Sequence, residues 1–182
     1  MKTVLIGVGN ILFMDEGIGV YAAKLLACNY TFTPEIEIID GGTLGFKLMD
    51  YLSDYEKVII LDTVSIEADP GSVYDLPSDA LMNLGEYRQT VHEIEVVGMI
   101  EMCQLLGKMA EVNIIGIIPQ DIVNVEINLS NSIKSALPFL IQTTLNNLKK
   151  SGIYATAKKQ QKSIEEIIDF YQNPLQNTPY IA

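Results

Sequence analysis

The sequence predicts a single-domain α/β fold, a three-layer αβα arrangement around a twisted, mainly parallel sheet with one antiparallel edge strand. Short apolar, β-branched runs alternate with helical periodicity through the first third of the chain. Successive βα units of this kind require parallel strands joined by right-handed crossovers. The length of 182 residues suits one domain with one sizeable core.

The first half of the chain supplies most of the parallel strands. A glycine-rich turn after the first strand leads directly into a helix, which places that turn at the carboxyl edge of the sheet, where open α/β folds bind ligands. In order, the pattern predicts a strand at Lys2 to Val8, a helix at Glu16 to Cys28, a turn-rich connection at Asn29 to Pro34, a strand at Glu35 to Asp40, a short helix at Leu44 to Leu52 and a strand at Glu56 to Asp62.

The second half is less regular. It predicts a short edge strand at Ser72 to Leu76, an irregular loop at Pro77 to Thr90, a helix at Glu93 to Leu106, a buried strand at Val112 to Ile118, a long helix at Asn131 to Lys150 and a last helix at Ser163 to Tyr171. Ser130 is the expected N-cap of the long helix, and Pro138 either kinks that helix or marks its start. We expect residues 1–155 to form the domain and residues 156–182 to be an appendage, partly helical or mobile.

Composition excludes several classes of protein. The net charge is −11 and Arg88 is the only arginine, so a nucleic-acid partner is not expected. No apolar run is long enough to span a bilayer, and no signal-peptide pattern precedes the first strand. Cys28 and Cys103 both fall in predicted helices, as packed, reduced thiols do. Together these features predict a cytoplasmic protein without a membrane partner.

Acidic residues collect at the predicted carboxyl edge of the sheet. Asp15 and Glu16 follow the first strand, and Asp40 and Asp62 end the next two, while His92 precedes a helix that can bring it to the same edge. Two carboxylates and one imidazole form a borderline donor set, suited to zinc, nickel, iron or manganese. The ordinary alternative is that these acids form turns and caps and that the histidine is a cap.

Several familiar catalytic and nucleotide-binding motifs are incomplete or absent in this sequence. The segment starting at His92 has Val96 where a zincin needs its second histidine, so it is not that metalloprotease motif. Leu12 occupies the place of the third glycine of a dinucleotide fingerprint. Asp62 lacks the glycine of an aspartic-protease loop, and no serine nucleophile elbow is present.

Taken together and in order, the motifs resemble the nickel-iron hydrogenase maturation endopeptidases from residue 2 to about residue 150. The matching pieces are Gly7-x-Gly9-Asn10, Asp15-Glu16-Gly17-x-Gly19, Asp40-Gly41-Gly42-Thr43-x-Gly45, Asp62, His92 and Gly116-Ile117-Ile118-Pro119. The resemblance implies a protease that trims the C-terminal extension of a hydrogenase large subunit precursor after nickel insertion. It also implies a twisted, mainly parallel sheet with helices on both sides.

The resemblance assigns roles to four residues. Glu16, Asp62 and His92 match the family's metal ligands, which are thought to meet nickel already held by the precursor. Asp40 matches an aspartate beside the same cleft and is the candidate catalytic residue. We therefore expect nickel to arrive with the substrate, no tightly held cofactor, and a monomeric enzyme whose partner is the precursor.

Two other functions remain open. The first is a non-catalytic binding protein that recognises the same metal-bearing partner, a peptide, or a small anion at the glycine turn. The second is a general peptidase of related fold, such as the germination-type proteases. Neither the hydrogenase, the bond that is cut nor the nucleophile follows from the sequence.

Overall fold

The computed structural model describes residues 1–78, 80, 98–103, 105, 107 and 110–174. Its strands are β1 (Thr3–Val8), β2 (Tyr30–Thr33), β3 (Glu37–Gly42), β4 (Lys57–Thr63), β5 (Val73–Pro77), β6 (Glu111–Ile117) and β7 (Tyr154–Ala157). Five of them form the main sheet in the order β3-β1-β4-β6-β5. The first four in that order run parallel, and β5 lies antiparallel to β6 at one edge. The predicted mainly parallel sheet with an antiparallel edge strand is confirmed.

Helices cover both faces of this sheet. They are α1 (Ile18–Asn29), α2 (Met49–Asp54), α3 (Asn131–Lys150) and α4 (Ile164–Gln172), and residues 98–103 are also helical. On one face, buried side chains of α1, α3 and α4 pack together against the sheet. On the other face, α2 and residues 98–103 contribute a second cluster. The strands β1 and β4 are buried along their whole length because both faces are covered.

The long helix α3 begins and ends where its local signals predict. Ser130 is its N-cap, and its hydroxyl oxygen accepts a hydrogen bond from the backbone N–H of Ile133. Pro138 lies inside the helix and does not mark its start. Lys149 and Lys150 lie in the last turn, where the helix dipole favours positive charge. In the described part of the chain, neither α3 nor any other helix has the length and hydropathy needed to cross a bilayer.

The prediction of a turn-rich connection at Asn29 to Pro34 is wrong. Residues Tyr30–Thr33 form β2, which pairs antiparallel with β7 in a second, two-stranded sheet. Backbone pairing between segments more than a hundred residues apart leaves no local signature in either segment. The alternation of large and small side chains in β2 is too short to distinguish a strand from a loop.

The C-terminal segment packs on the main body through α4. Ser163 and Glu166 form a capping box at its start, and Ile167 and Ile168 are buried against the core. Asn29 ties this start to α1, since its side chain accepts from the backbone N–H of Lys162 at 2.7 Å and donates to the Lys162 carbonyl at 2.9 Å. Helix α4 matches the predicted last helix, whereas the boundary at residue 155 stays a prediction.

Several predictions fall outside the described residues. They are most of the loop from Pro77 to Thr90, the first half of the helix from Glu93 to Leu106, and His92 itself. These stay predictions.

Candidate active site

Glycines let the start of α1 approach the carboxyl ends of β1 and β4. A Cβ atom on Gly19 would overlap the carbonyl oxygens of Leu61 and Val8, and one on Gly7 would overlap the carbonyl oxygen of Gly19. Any larger residue at these positions would push the helix off the sheet. The glycines of the turn therefore permit close packing of helix on strand. This packing holds the short 3-10 helix formed by Met14–Gly17 against β4.

The adjacent acids Asp15 and Glu16 have different environments. Asp15 is fully buried and accepts four hydrogen bonds. The backbone N–H groups of Gln120 and Asp121 donate to its Oδ2 at 3.0 and 2.9 Å, the Ser130 hydroxyl donates to Oδ2 at 2.8 Å, and the Ser130 N–H donates to Oδ1 at 2.7 Å. This carboxylate fastens the connection between β6 and α3 to the glycine turn. Glu16, by contrast, is only half-buried.

The connection between β6 and α3 is also bound to the turn through its backbone. The N–H of Glu126 donates to the Leu12 carbonyl at 3.0 Å, and the N–H of Met14 donates to the Glu126 carbonyl at 3.2 Å. The N–H of Asp15 donates to the Asp121 carbonyl at 3.0 Å. Sequence reasoning missed this whole contact, because it joins segments more than a hundred residues apart.

Asp62 lies near the end of β4, the strand that the Met14–Gly17 helix contacts. Its side chain is buried, and its Oδ1 accepts a hydrogen bond from the N–H of Thr63 at 2.7 Å. The elements that carry Glu16 and Asp62 therefore meet at the predicted edge of the sheet. His92, the third predicted ligand, lies outside the described residues. Among the residues that are described, no cluster of three or more potential metal ligands occurs. The ligand set stays a prediction.

Asp40 lies in β3 at the same edge and is exposed. Its Oδ1 accepts from the Gly42 N–H at 3.1 Å, and its Oδ2 accepts from the Tyr171 hydroxyl at 2.9 Å. Burial raises the pKa of Tyr171 above its usual value, and the negative charge of Asp40 adds to the effect. The phenol therefore stays protonated and remains a donor. Sequence reasoning missed Tyr171 as a residue of the site, because the sequence indicated only that it lies in a possible helix.

A pocket of about 340 Å³ lies beside this hydrogen bond. Its wall is formed by the glycine turn, the end of β3 and the end of α4. The lining includes Ile11, Leu12 and Val20 as apolar residues, with Asp40 and Tyr171 as polar ones. The edge therefore combines carboxylates near the ends of β3 and β4 with an apolar recess beside Asp40. This is the usual composition of a ligand site in an α/β protein.

Comparison with known proteins agrees with this architecture. The model of the HycI hydrogenase maturation protease family matches residues 20–147. The hydrogenase 2 maturation protease of Escherichia coli strain K12 is 27% identical over 161 residues, which cover 87% of this chain and 98% of that protein. The protein HydD of Wolinella succinogenes is 30% identical over 151 residues, covering 81% of this chain and 94% of its own length.

Solved structures give the same result. The hydrogenase maturating endopeptidase HybD from E. coli superposes with a TM-score of 0.80 at 27% identity, covering 87% of this chain and 98% of that one. A hydrogenase 2 maturation peptidase from a Thaumarchaeota archaeon gives a TM-score of 0.62 at 28% identity, with coverage of 82% and 99%. The chain belongs to the hydrogenase maturation protease family. The predicted fold class and the predicted peptidase activity are confirmed.

Proposed function

We propose that this protein is the endopeptidase that removes the C-terminal extension of a nickel-iron hydrogenase large subunit precursor once nickel has been inserted. Membership of the maturation protease family supports this proposal. The observation that favours it most is the contact between the short helix bearing Glu16 and the strand bearing Asp62, at the carboxyl edge of a parallel sheet. We place the reaction in the cytoplasm, as the composition predicts.

The nickel of the precursor is the proposed recognition element. Two carboxylates and an imidazole from Glu16, Asp62 and His92 would supply three donors of a kind that borderline metals accept. Three donors leave coordination positions open for the ligands that the precursor already provides. In this scheme a precursor without nickel lacks the group that holds it in place, so cleavage waits until insertion is complete.

Water is the proposed attacking species. Either the precursor's nickel polarises it, or a carboxylate removes its proton. Asp40 is the candidate for the second role, because it lies at the same edge and is exposed. Both routes make the same products, a shortened subunit and a released peptide.

The decisive experiment compares nickel-loaded and nickel-free precursor. The purified protein is incubated with each form, and the mass of the large subunit is followed by intact-protein mass spectrometry. We expect loss of the C-terminal peptide from the loaded form alone. Equal cleavage of both forms would refute recognition through nickel, and cleavage of neither form would refute the proposed reaction.

Single substitutions test the three proposed ligands. Glu16→Gln, Asp62→Asn and His92→Ala should each lower processing by at least about 100-fold, since even residues that only orient a metal ligand contribute about 10–100-fold to metal affinity. Circular dichroism should show the wild-type fold for each. Asp50→Asn, a change of an exposed acid in α2, is the matched control and should process normally. If a variant retains processing, the substituted residue is not a ligand in the proposed site.

A further inference from the structure

The pocket beside Asp40 has an apolar wall that stands open to solvent. Leu12 lines it and is 49% exposed. Ile11 lines it as well and is half-buried, and Val20 forms its buried floor. Binding of an apolar group in an exposed apolar recess of this kind is favourable, because it removes apolar surface from water.

The C-terminal helix closes the pocket on one side. The Tyr171 ring packs edge-to-face on the buried Tyr21 ring, with 5.5 Å between ring centroids, and its hydroxyl donates to Asp40. The next residue, Gln172, donates through Nε2 to the Ile127 carbonyl at 2.7 Å. The end of α4 is therefore fixed both to β3 and to the connection between β6 and α3. Residues 20–147, which match the family model, do not include this wall.

The strand next to the pocket favours an extended peptide as the occupant. Strand β3 is an edge strand, and within the described residues of the main sheet it pairs only with β1. An extended peptide can add to such an edge by backbone hydrogen bonds, while alternate side chains enter neighbouring pockets. Ile11, Leu12 and Val20 make much of the pocket lining apolar, which favours an uncharged side chain as the occupant.

We propose that the pocket formed by Leu12, Asp40 and Tyr171 is a subsite that binds one apolar side chain of the substrate peptide, close to the bond that is cut. Tyr171 is the residue that limits the size of that side chain. This inference rests on the proposed function, because it takes the substrate to be the C-terminal region of the precursor. The enzyme would then recognise an apolar residue in the substrate sequence in addition to the nickel ion.

The test uses the full-length protein, with the nickel-loaded large subunit precursor of the same organism as the substrate. Each apolar residue within three positions of the bond is replaced in turn by serine and by lysine. We expect one position to lose at least about tenfold in kcat/KM on either replacement, since hydrophobic pockets discriminate by about 10- to 200-fold. Equal cleavage of all these substrates, or a preference for lysine, would overturn the proposal.

Protein variants then assign that position to this pocket. Leu12→Asp should raise KM at least about tenfold. It should also abolish the difference in kcat/KM between substrates that carry an apolar residue and those that carry serine at the sensitive position. Phe139→Asp, on the exposed face of α3, is the control for adding a charge at an exposed apolar site and should leave KM unchanged. Wild-type kinetics for Leu12→Asp would overturn the assignment.

The size limit is tested by removing the wall. Tyr171→Ala should improve cleavage of a substrate with a bulkier side chain at the sensitive position relative to the native one, whereas Tyr171→Phe, which keeps the ring, should not. Binding of the nickel-loaded precursor separates the two proposals: if the wild type binds it in a Leu12-dependent way but cleaves nothing, the subsite stands and the proposed function fails. If Leu12→Asp binds the nickel-loaded precursor as tightly as the wild type does, the subsite is refuted.

Discussion

Replacing Asp15 by asparagine keeps the shape of the side chain and removes its charge. The native carboxylate is fully buried and accepts four hydrogen bonds, three at Oδ2 and one at Oδ1. An amide has one acceptor oxygen and one NH₂ group, which can only donate. The least costly orientation puts the amide oxygen in the place of Oδ2. The NH₂ group then faces the N–H of Ser130, and that donor loses its partner.

The expected loss of stability follows from this geometry. A partly buried N–H without a partner costs about 1–3 kcal/mol, and each of the other three hydrogen bonds loses about 1 kcal/mol when its acceptor becomes neutral. Burying an amide costs less than burying a carboxylate, which offsets part of the sum. The net loss is about 4 kcal/mol. For a chain of this length, 1 kcal/mol lowers Tm by about 2–4 °C, so Asp15→Asn should melt about 8–16 °C below the wild type.

The assay pairs this variant with its neighbour. Thermal melts followed by circular dichroism should show the drop for Asp15→Asn and a much smaller change for Glu16→Gln, whose side chain is half-buried. Precursor processing, measured well below both melting temperatures, should show the reverse, with the larger loss at Glu16. A drop of less than about 3 °C for Asp15→Asn would refute the calculation, because the four hydrogen bonds would then contribute almost nothing.

Two further changes test the packing around the site. Burial raises the pKa of Tyr21 to about 12, so the unfolded chain releases this proton first and stability falls as pH rises from about 10 to 12. Its hydroxyl also has no hydrogen-bond partner among the described residues. Tyr21→Phe should therefore raise Tm by about 2–4 °C, and melts at pH 8–11 should show a smaller decrease of Tm with rising pH than in the wild type. An unchanged dependence of Tm on pH would contradict this. Gly19→Ala should abolish processing and lower Tm, because its Cβ overlaps the Leu61 carbonyl. Gly152→Ala is the control: its Cβ meets open space and its φ of +77° is strained for alanine, so it should lower Tm by a smaller amount and still process normally.

Local signals predicted the elements that depend on local physics. The long helix begins at Asn131 as expected because its cap, Ser130, is adjacent in sequence. The strand ending at Asp62 was recognisable because its apolar side chains are buried on both faces. The antiparallel pairing of β2 with β7 was missed, since neither four-residue strand has a pattern of its own and only tertiary contact selects it.

The candidate site was predictable to the same extent. Parallel topology places Asp40 and Asp62 at one edge, and a sequence can show that much. The residue pattern alone cannot tell the role of Asp15 from that of Glu16, and only the family resemblance singled out Glu16. Both are acids in one turn, and only the position of a distant connection makes Asp15 a buried anchor. Tyr171 was missed for a related reason, as its hydrogen bond to Asp40 spans 131 positions in the chain.

These contacts change how variants of the turn should be interpreted. Ser130 caps α3 through its hydroxyl oxygen and at the same time donates to Asp15, so the start of this helix and the glycine turn form one unit. That unit sets the position of Glu16 although Ser130 does not belong to the proposed ligand set. Loss of processing in a Ser130 variant would therefore not make it a catalytic residue. Only a variant that keeps the wild-type Tm and loses processing identifies a residue that acts on the substrate.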